Sequence, residues 1–505
     1  MRKLLWGLAI VVLALACVPL VLLATGTIST SSLRMILNVM AGVSGPPADV
    51  ETLRSRYRVP PGFTLSLYAA DIPGARFLRF TPAGDLLVSR PHESDIVLLR
   101  QDRDGDGRPD GREILLDGLR RPHGLDIGNG WLYVAESNRI GRAAFDAGDS
   151  SLAGPYRPLV EGFTDNGNHW SKTLRLGPDG MLYLSQGSSC NVCEEEDPRR
   201  ATMMRFGPDG GDGEIFATGL RNSVGFDWAP WNGELYATDN GRDLLGDDFP
   251  PCELNHIVRN GFYGWPYFNG DNIPDPDMGP DPLADERIPL PPVHGFRPHN
   301  APLGITFVDA GGLPEDFGRS ALVALHGSWN RSEPDGYKVV SLHWTQSGIE
   351  ERDFLWGFNR DGDISGRPVD VAQGPDGAFY ISDDYAGAIY RVGYGEDTAV
   401  GDTPIAVRKE QGREPAEWVA TADLPSLQEQ GAALYRRHDC ARCHEAGNNP
   451  KRLDDLAGRM DHAAIIEVLR APPPPMPVYS LTATERRALA VFLLAAPGSE
   501  TSATH

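Results

Sequence analysis

The sequence contains one run whose residue types and spacing already define a reaction. Cys440-Ala441-Arg442-Cys443-His444 has the form C-x-x-C-H. Two thiols at this spacing form thioethers to the vinyl groups of a haem, and the imidazole that follows them ligates the iron. A zinc site or a redox dithiol is the alternative for a C-x-x-C pair. Zinc would need a further Cys or His pair nearby, and only His462 and His505 lie downstream. Met476 stands between Pro475 and Pro477. A thioether opposite histidine raises the haem potential and suits electron transfer, so Met476 is expected to be the second iron ligand. Met460, on an apparent helix, is the competing methionine and reads as core.

Three further clusters lie in the middle of the chain. Asn168-His169-Trp170 precedes an apolar run. An imidazole with an ordinary pKa near 6.5 is a usable base at neutral pH. Gly219-Leu220-Arg221-Asn222-Ser223 offers a planar guanidinium and an amide, suited to a flat anionic ligand. Asp239-Asn240-Gly241-Arg242-Asp243, with Gly246-Asp247-Asp248 and Glu253-Leu254-Asn255, is rich in oxygen donors of the kind calcium takes. Asp102, Asp104, Asp106 and Glu113 match the spacing of an EF-hand loop, but their flanks are strand-like. The reading is a structural calcium loop or a plain acidic hairpin, and neither is catalytic.

The elements that position these groups follow from a repeat. Glycines at 84, 130, 180, 233, 318 and 377 each precede an alternating apolar run, as in Gly180-Met181-Leu182-Tyr183-Leu184. Their separations are 46, 50, 53, 85 and 59 residues. A turn followed by alternation is a hairpin signal, and a period near 40–50 without helical patterning indicates propeller blades. The expected fold is therefore mainly β: a six-bladed β-propeller over residues 59–395, with a large insertion in the 85-residue gap. Residues 425–498 read as a small all-α domain. A helix over 426–438 leads into the haem motif, and Thr482-x-x-Glu485 is a capping box opening a second helix. This segment resembles class I cytochromes c.

The N-terminus begins Met1-Arg2-Lys3 and continues uncharged from Leu4 to Ala24, long enough to span a bilayer. Residues 1–26 are read as an uncleaved transmembrane anchor. The rivals are a cleaved signal peptide and a lipoprotein signal ending before Cys17; all three export the chain. Segments 27–58 and 396–424 are read as linkers, and 499–505 as a tail. Formal net charge is -22, with 47 Lys+Arg against 69 Asp+Glu, which argues against nucleic acid as a partner. Six cysteines in 505 residues are too few for a disulfide scaffold. In an exported chain Cys190 and Cys193 are expected to pair with each other in preference to Cys252.

Several motifs in one order carry a wider resemblance. They are the three middle clusters, Gly187-Ser188-Ser189-Cys190-Asn191-Val192-Cys193, His326-Gly327-Ser328-Trp329-Asn330-Arg331, Gly336-Tyr337-Lys338 and Gly366-Arg367-Pro368. Over residues 59–395 the chain resembles the pyrroloquinoline quinone (PQQ)-dependent glucose/sorbosone dehydrogenase family. The resemblance implies that His169 is the general base and that Arg221 and Asn222 contact PQQ. It implies that Arg367 and Arg331 neutralise the PQQ carboxylates, and that the Gly241 and Arg242 carbonyls hold calcium. Soluble glucose-oxidising members have Gly-Pro where this chain has Gly241-Arg242, a change that spares the backbone oxygens. The expected function is a periplasmic, membrane-anchored quinohaemoprotein. It would oxidise an aldose or hydrated aldehyde through PQQ and pass electrons through haem c to a cytochrome, oxidase or quinone acceptor. The alternatives are a calcium-dependent, lactonase-like hydrolase and a non-catalytic propeller that docks a redox partner.

Overall fold

A computed structural model describes residues 45–395 and, further on, 424–438, 440–444, 453, 456, 460, 462–470, 476, 479 and 481–495. The chain divides into two units, Met1–Val400 and Gly401–His505. The anchor read over 1–26, most of the 396–424 linker and the 499–505 tail lie outside the described residues. Among the described residues no helix is long and apolar enough to cross a membrane.

The first unit is a six-bladed propeller. Its inner strands are Leu78–Phe80, Leu125–Gly128, Lys172–Leu176, Phe226–Trp228, Pro302–Phe307 and Pro368–Gln373, opening blades 1 to 6. Each blade runs outward as an antiparallel meander, for example Lys172–Leu176, Leu182–Gln186, Thr202–Phe206 and Glu214–Thr218 in blade 3. Blade 6 is completed by Phe63–Ala69 from the start of the domain, which pairs antiparallel with Ala388–Tyr394 and closes the ring. Five of the six repeat glycines take a positive φ in the turn between the first and second strands: Gly84, Gly130, Gly180, Gly233 and Gly377. The sixth departs from the hairpin expectation. Gly318 lies in a 3-10 turn, Glu315–Arg319, that enters the same strand.

Apolar faces of neighbouring blades pack against each other. Tyr133 and Ile140 of blade 2 meet Leu174, Leu182, Leu184 and Met204 of blade 3 in one buried cluster. Each such side chain contributes about 1.5–3 kcal/mol on burial. Around the axis, polar contacts link every inner strand to the next. Arg79 pairs with Asp126 at 2.6 Å, and Asp126 accepts from the Leu176 N–H at 2.8 Å. Arg175 pairs with Asp227 at 3.3 Å, and Asp227 accepts from the Phe307 N–H at 2.9 Å. Thr306 donates to the Val371 carbonyl at 2.8 Å, and Asp370 accepts from the Leu78 N–H at 2.9 Å. Arg79, Arg175, Asp227, Thr306 and Asp370 border a channel cavity of about 380 Å³.

The long gap in the repeat is an excursion between the third and fourth strands of blade 4, Cys252–Ile257 and His294–Phe296. Its Gly261–Phe262 adds a short parallel strand to blade 3 beside Ala217–Thr218, so the insertion ties two blades together. Part of the segment read as the 27–58 linker is ordered. Val50–Arg56 is a helix capped by Asp49, whose Oδ1 accepts from Thr52 N at 2.7 Å. Leu53 is buried in the core, and Arg56 pairs with Asp363 at 2.7 Å.

In the second unit, helices Leu424–Arg437, Ala441–His444, His462–Arg470 and Ala483–Ala495 enclose one apolar core. The capping box forms as expected. Thr482 N donates to Glu485 Oε2 at 2.9 Å, and Glu485 N donates to Thr482 Oγ1 at 3.2 Å. Gly431 lets the first and last helices touch: a Cβ there would stand 2.1 Å from the Ala488 carbonyl oxygen.

Candidate active site

Loops leading into the inner strands bring the expected groups to one end of the propeller. His169 lies three residues before the inner strand of blade 3, with φ +49, a left-handed conformation that is costly for a residue with a Cβ. Its Nδ1 is 3.1 Å from the Ser188 carbonyl oxygen and 2.9 Å from Ser188 Oγ. Ser188 Oγ donates its own proton to the Cys190 carbonyl at 2.7 Å. Both oxygens facing Nδ1 are therefore acceptors, which puts the ring proton on Nδ1 and leaves Nε2 with its lone pair. Burial, then the Arg221 and Arg200 charges, lower the His169 pKa to about 3. The side chain is a neutral base throughout the physiological range.

Arg221 and Asn222 sit between blades 3 and 4, against His169. Gly187 makes this possible, because a Cβ there would lie 2.5 Å from Asn222 Oδ1 and 2.6 Å from His169 Cβ. The Arg221 guanidinium is committed to protein groups. It donates to the Asn191 carbonyl and Oδ1, to the Asn240 and Gly241 carbonyls, and to Asp243 at 3.0 Å. It thus organises the loop whose carbonyls were expected to hold calcium. The Arg242 side chain turns away to a buried pair with Asp275 at 2.6 Å and a second with Asp277 at 2.8 Å. Behind this loop, Asp239 and Glu253 face each other across strands. Burial, with Glu253 as a like-charged neighbour, raises Asp239 well above the carboxylate range, and burial raises Glu253 to about 7.

Arg367 enters from the blade 6 side. Its partners are the His326 and Gly327 carbonyls, at 3.2 and 3.4 Å, and among the described residues it has no ion pair. Arg331 donates to the carbonyls of Asp247 and Pro298, so its charge is spent on a neighbouring loop. Sequence reasoning missed a third group here. His326 Nε2 bonds Asp384 Oδ1 at 2.9 Å, and Asp384 also pairs with Arg76 at 2.6 Å. Burial and Arg367 lower His326 to about 4. Burial raises the Asp384 carboxyl, but His326, Arg76 and Arg367 outweigh it and hold it below the usual range. Neither partner of this dyad carries a local signature, since 58 residues separate them.

Cys190 and Cys193 are joined in a disulfide. The loop they close presents Asn191 to both Arg221 and Asp243. Cys252 is a buried thiol pushed up to about 11 by burial. In the acidic hairpin, the carboxylates of Asp102, Asp104 and Asp110 lie within 4.8 Å of one another. Asp106 instead caps its own turn at Arg108 N, and Glu113 pairs with Arg100, so the EF-hand set is not brought together. The sequence spacing fails because Arg112–Leu116 is a strand that turns Glu113 toward its neighbour.

In the second unit, the amide of His444 donates to the Cys440 carbonyl at 3.1 Å, which winds the motif into a single turn. Cys440, Met460 and Met476 all pack, half-buried, on the same core. The Cys443 side chain lies outside the described residues.

Residues 57–248 and 284–394 match the family model described as TrAA12-like, and residues 426–493 match that of cytochrome c oxidase, cbb3-type, subunit III. A PQQ-dependent pyranose dehydrogenase from Coprinopsis cinerea is 25% identical over 410 residues, covering 67% of this chain and 54% of the relative. The chain thus spans little more than half the length of that curated relative. Among solved structures, the calcium structure of the Trichoderma reesei family AA12 carbohydrate-active enzyme aligns with a TM-score of 0.59 at 21% identity, covering 67% of this chain and 97% of that one. The holo PQQ domain of the Coprinopsis cinerea pyranose dehydrogenase aligns at 0.56 and 21%, with the same coverage. At these identities the structures speak to the fold. The family match spans well over half of the sequence, and the chain belongs to the TrAA12-like family, with a cytochrome c domain following its propeller.

Proposed function

We propose that this protein is a PQQ-dependent sugar or aldehyde dehydrogenase that delivers electrons to its own haem c, on the periplasmic side of a membrane that holds its N-terminus. The observation that carries the reading is the His169 imidazole, with its proton on Nδ1 and no hydrogen-bond partner for Nε2 among the described residues. Similarity to the Coprinopsis pyranose dehydrogenase supports the substrate class.

The residues present fit the cofactors. Asn240 Oδ1, Asn300 Oδ1 and both amide atoms of Asn330 are buried without a partner, as expected of groups that await a polar ligand. Arg367, Asn222 and these amides would hold PQQ, and Arg221 would shape the loop beside it. The Gly241 and Arg242 carbonyls would offer calcium oxygen donors of the kind it prefers, the Gly241 oxygen while also accepting from Arg221 at 2.9 Å. Cys440 and Cys443 would tether haem, with His444 and Met476 on its iron. When bound, PQQ supplies a two-electron hydride acceptor and haem c a one-electron carrier.

His169 Nε2 takes the proton of the substrate hydroxyl as that carbon gives up its hydride, so the sugar loses two electrons and two hydrogens. Arg367, which has no ion pair among the described residues, would neutralise the PQQ carboxylates. The test is optical. PQQ- and calcium-loaded protein mixed with a panel of aldoses and aldehydes should reduce its own haem. Lactone hydrolysis without haem reduction would favour a hydrolase instead.

A further inference from the structure

The base sits on a strained segment, and the groups that hold it there converge on one side chain. Arg200 is 3% exposed and 31 residues from His169. Its Nε donates to the Gly187 carbonyl at 2.6 Å. Its Nη2 donates to the carbonyls of Ser188 and Asn168, both at 2.7 Å, and reaches that of His169 at 3.4 Å. Its Nη1 donates to the carbonyls of Thr164 and Asn166, both at 3.2 Å. Every one of these acceptors belongs to the two segments that meet at the imidazole. Among the described residues no carboxylate is in ion-pair contact with Arg200, and Glu195, Asp197 and Asp165 act on it only through space.

A buried guanidinium with only carbonyl partners is an unusual choice for stability alone, because a buried charge is costly unless it is paired. The fork geometry explains it. Five N–H groups in one plane can turn six carbonyls inward, which a lysine cannot do. Lys172 assists from the other side, with Nζ 3.1 Å from the Thr164 carbonyl and 3.4 Å from that of Trp170.

We propose that Arg200 is the positioning residue of the His169 base: it gathers the 164–169 and 187–188 segments on one guanidinium and so fixes Nδ1 against Ser188 with Nε2 left open. The inference rests on the dehydrogenase reading of His169. The charge has a second effect. The cations acting on His169 are Arg221, which is paired with Asp243, and then Arg200, which has no ion pair among the described residues and feels Glu195, Asp197 and Asp165 only through space. Lys172, Asp165, Glu195 and Asp197 surround Arg200 rather than the imidazole. Removing the Arg200 charge therefore makes protonation of His169 easier.

The test is titration of His169 in full-length protein labelled with 15N-histidine, without added PQQ, using His169→Gln to assign the resonances. In Arg200→Gln the His169 midpoint should rise. In Arg200→Lys the midpoint should stay low while the Nδ1–H tautomer gives way to a mixture. PQQ-loaded Arg200→Lys should lose about tenfold or more in kcat with little change in KM. If Arg200→Gln does not fold, the tautomer and kcat of Arg200→Lys decide. An unchanged midpoint and tautomer in the folded variants, or full turnover in Arg200→Lys, would overturn the proposal. Absence of sugar oxidation in the parent protein would count against the dehydrogenase reading, and the titration would still decide the role of Arg200.

Discussion

At the scale of single residues, the proposed chemistry depends on which nitrogen of His169 carries the proton. Ser188 settles this by presenting two acceptors to Nδ1. His169→Ala should lower substrate-driven haem reduction by about 10²–10⁴-fold and leave the haem spectrum unchanged. Under the proposed reading the base works in its neutral form, and burial and two arginines lower its pKa to about 3. The acid limb of kcat/KM should therefore not fall at pH 6.5, where an ordinary imidazole titrates, and the rate should hold into the acid range. A limb centred near 6.5 would contradict this lowering. His169 was legible in the sequence because an imidazole beside a strand start is conspicuous. Arg200 and the pairings of Ser188 with His169 and of His326 with Asp384 were not, because contacts between residues distant in the chain leave no local pattern.

At the scale of elements, two glycines set how closely the working parts approach. Gly187→Ala would place a methyl group 2.5 Å from Asn222 Oδ1 and 2.6 Å from His169 Cβ. The expected cost is about 1–3 kcal/mol in stability, measured by urea unfolding, with a larger loss of turnover because the base is displaced. In the cytochrome unit, Gly431→Val should prevent the first and last helices from closing, so haem incorporation fails while the propeller still melts cooperatively. The blade turns were readable because Asp-Gly and Asn-Gly before an apolar alternation have few other uses. The insertion was readable as a long gap in the repeat, but its pairing with blade 3 was not, because Gly261–Phe262 is placed by tertiary packing and two residues carry no periodicity. The helix Val50–Arg56 escaped notice for a similar reason: seven residues with one buried leucine look like a spacer until the surface beneath them is known.

At the scale of the whole molecule, the propeller is a closed ring, and its closure is distributed. The first strand, Phe63–Ala69, completes the last blade, and polar links around the axis join all six inner strands. Asp126 serves two of those joints, so Asp126→Ala leaves Arg79 and the Leu176 N–H unpartnered at once. The cost should be about 2–3 kcal/mol in the urea midpoint of the propeller, with the haem unit unaffected. Six blades and a cytochrome were both evident in the sequence, one as a period and the other as a motif. We propose that the propeller oxidises a sugar and supplies the electrons to the haem of the same chain. The most direct test is stopped-flow haem reduction in PQQ- and calcium-loaded full-length protein mixed with an aldose. Reduction is expected in the parent protein and its loss in His169→Ala, with haem still reducible by dithionite. Equal reduction in the two proteins, or none in the parent with any aldose or aldehyde, would contradict the proposal.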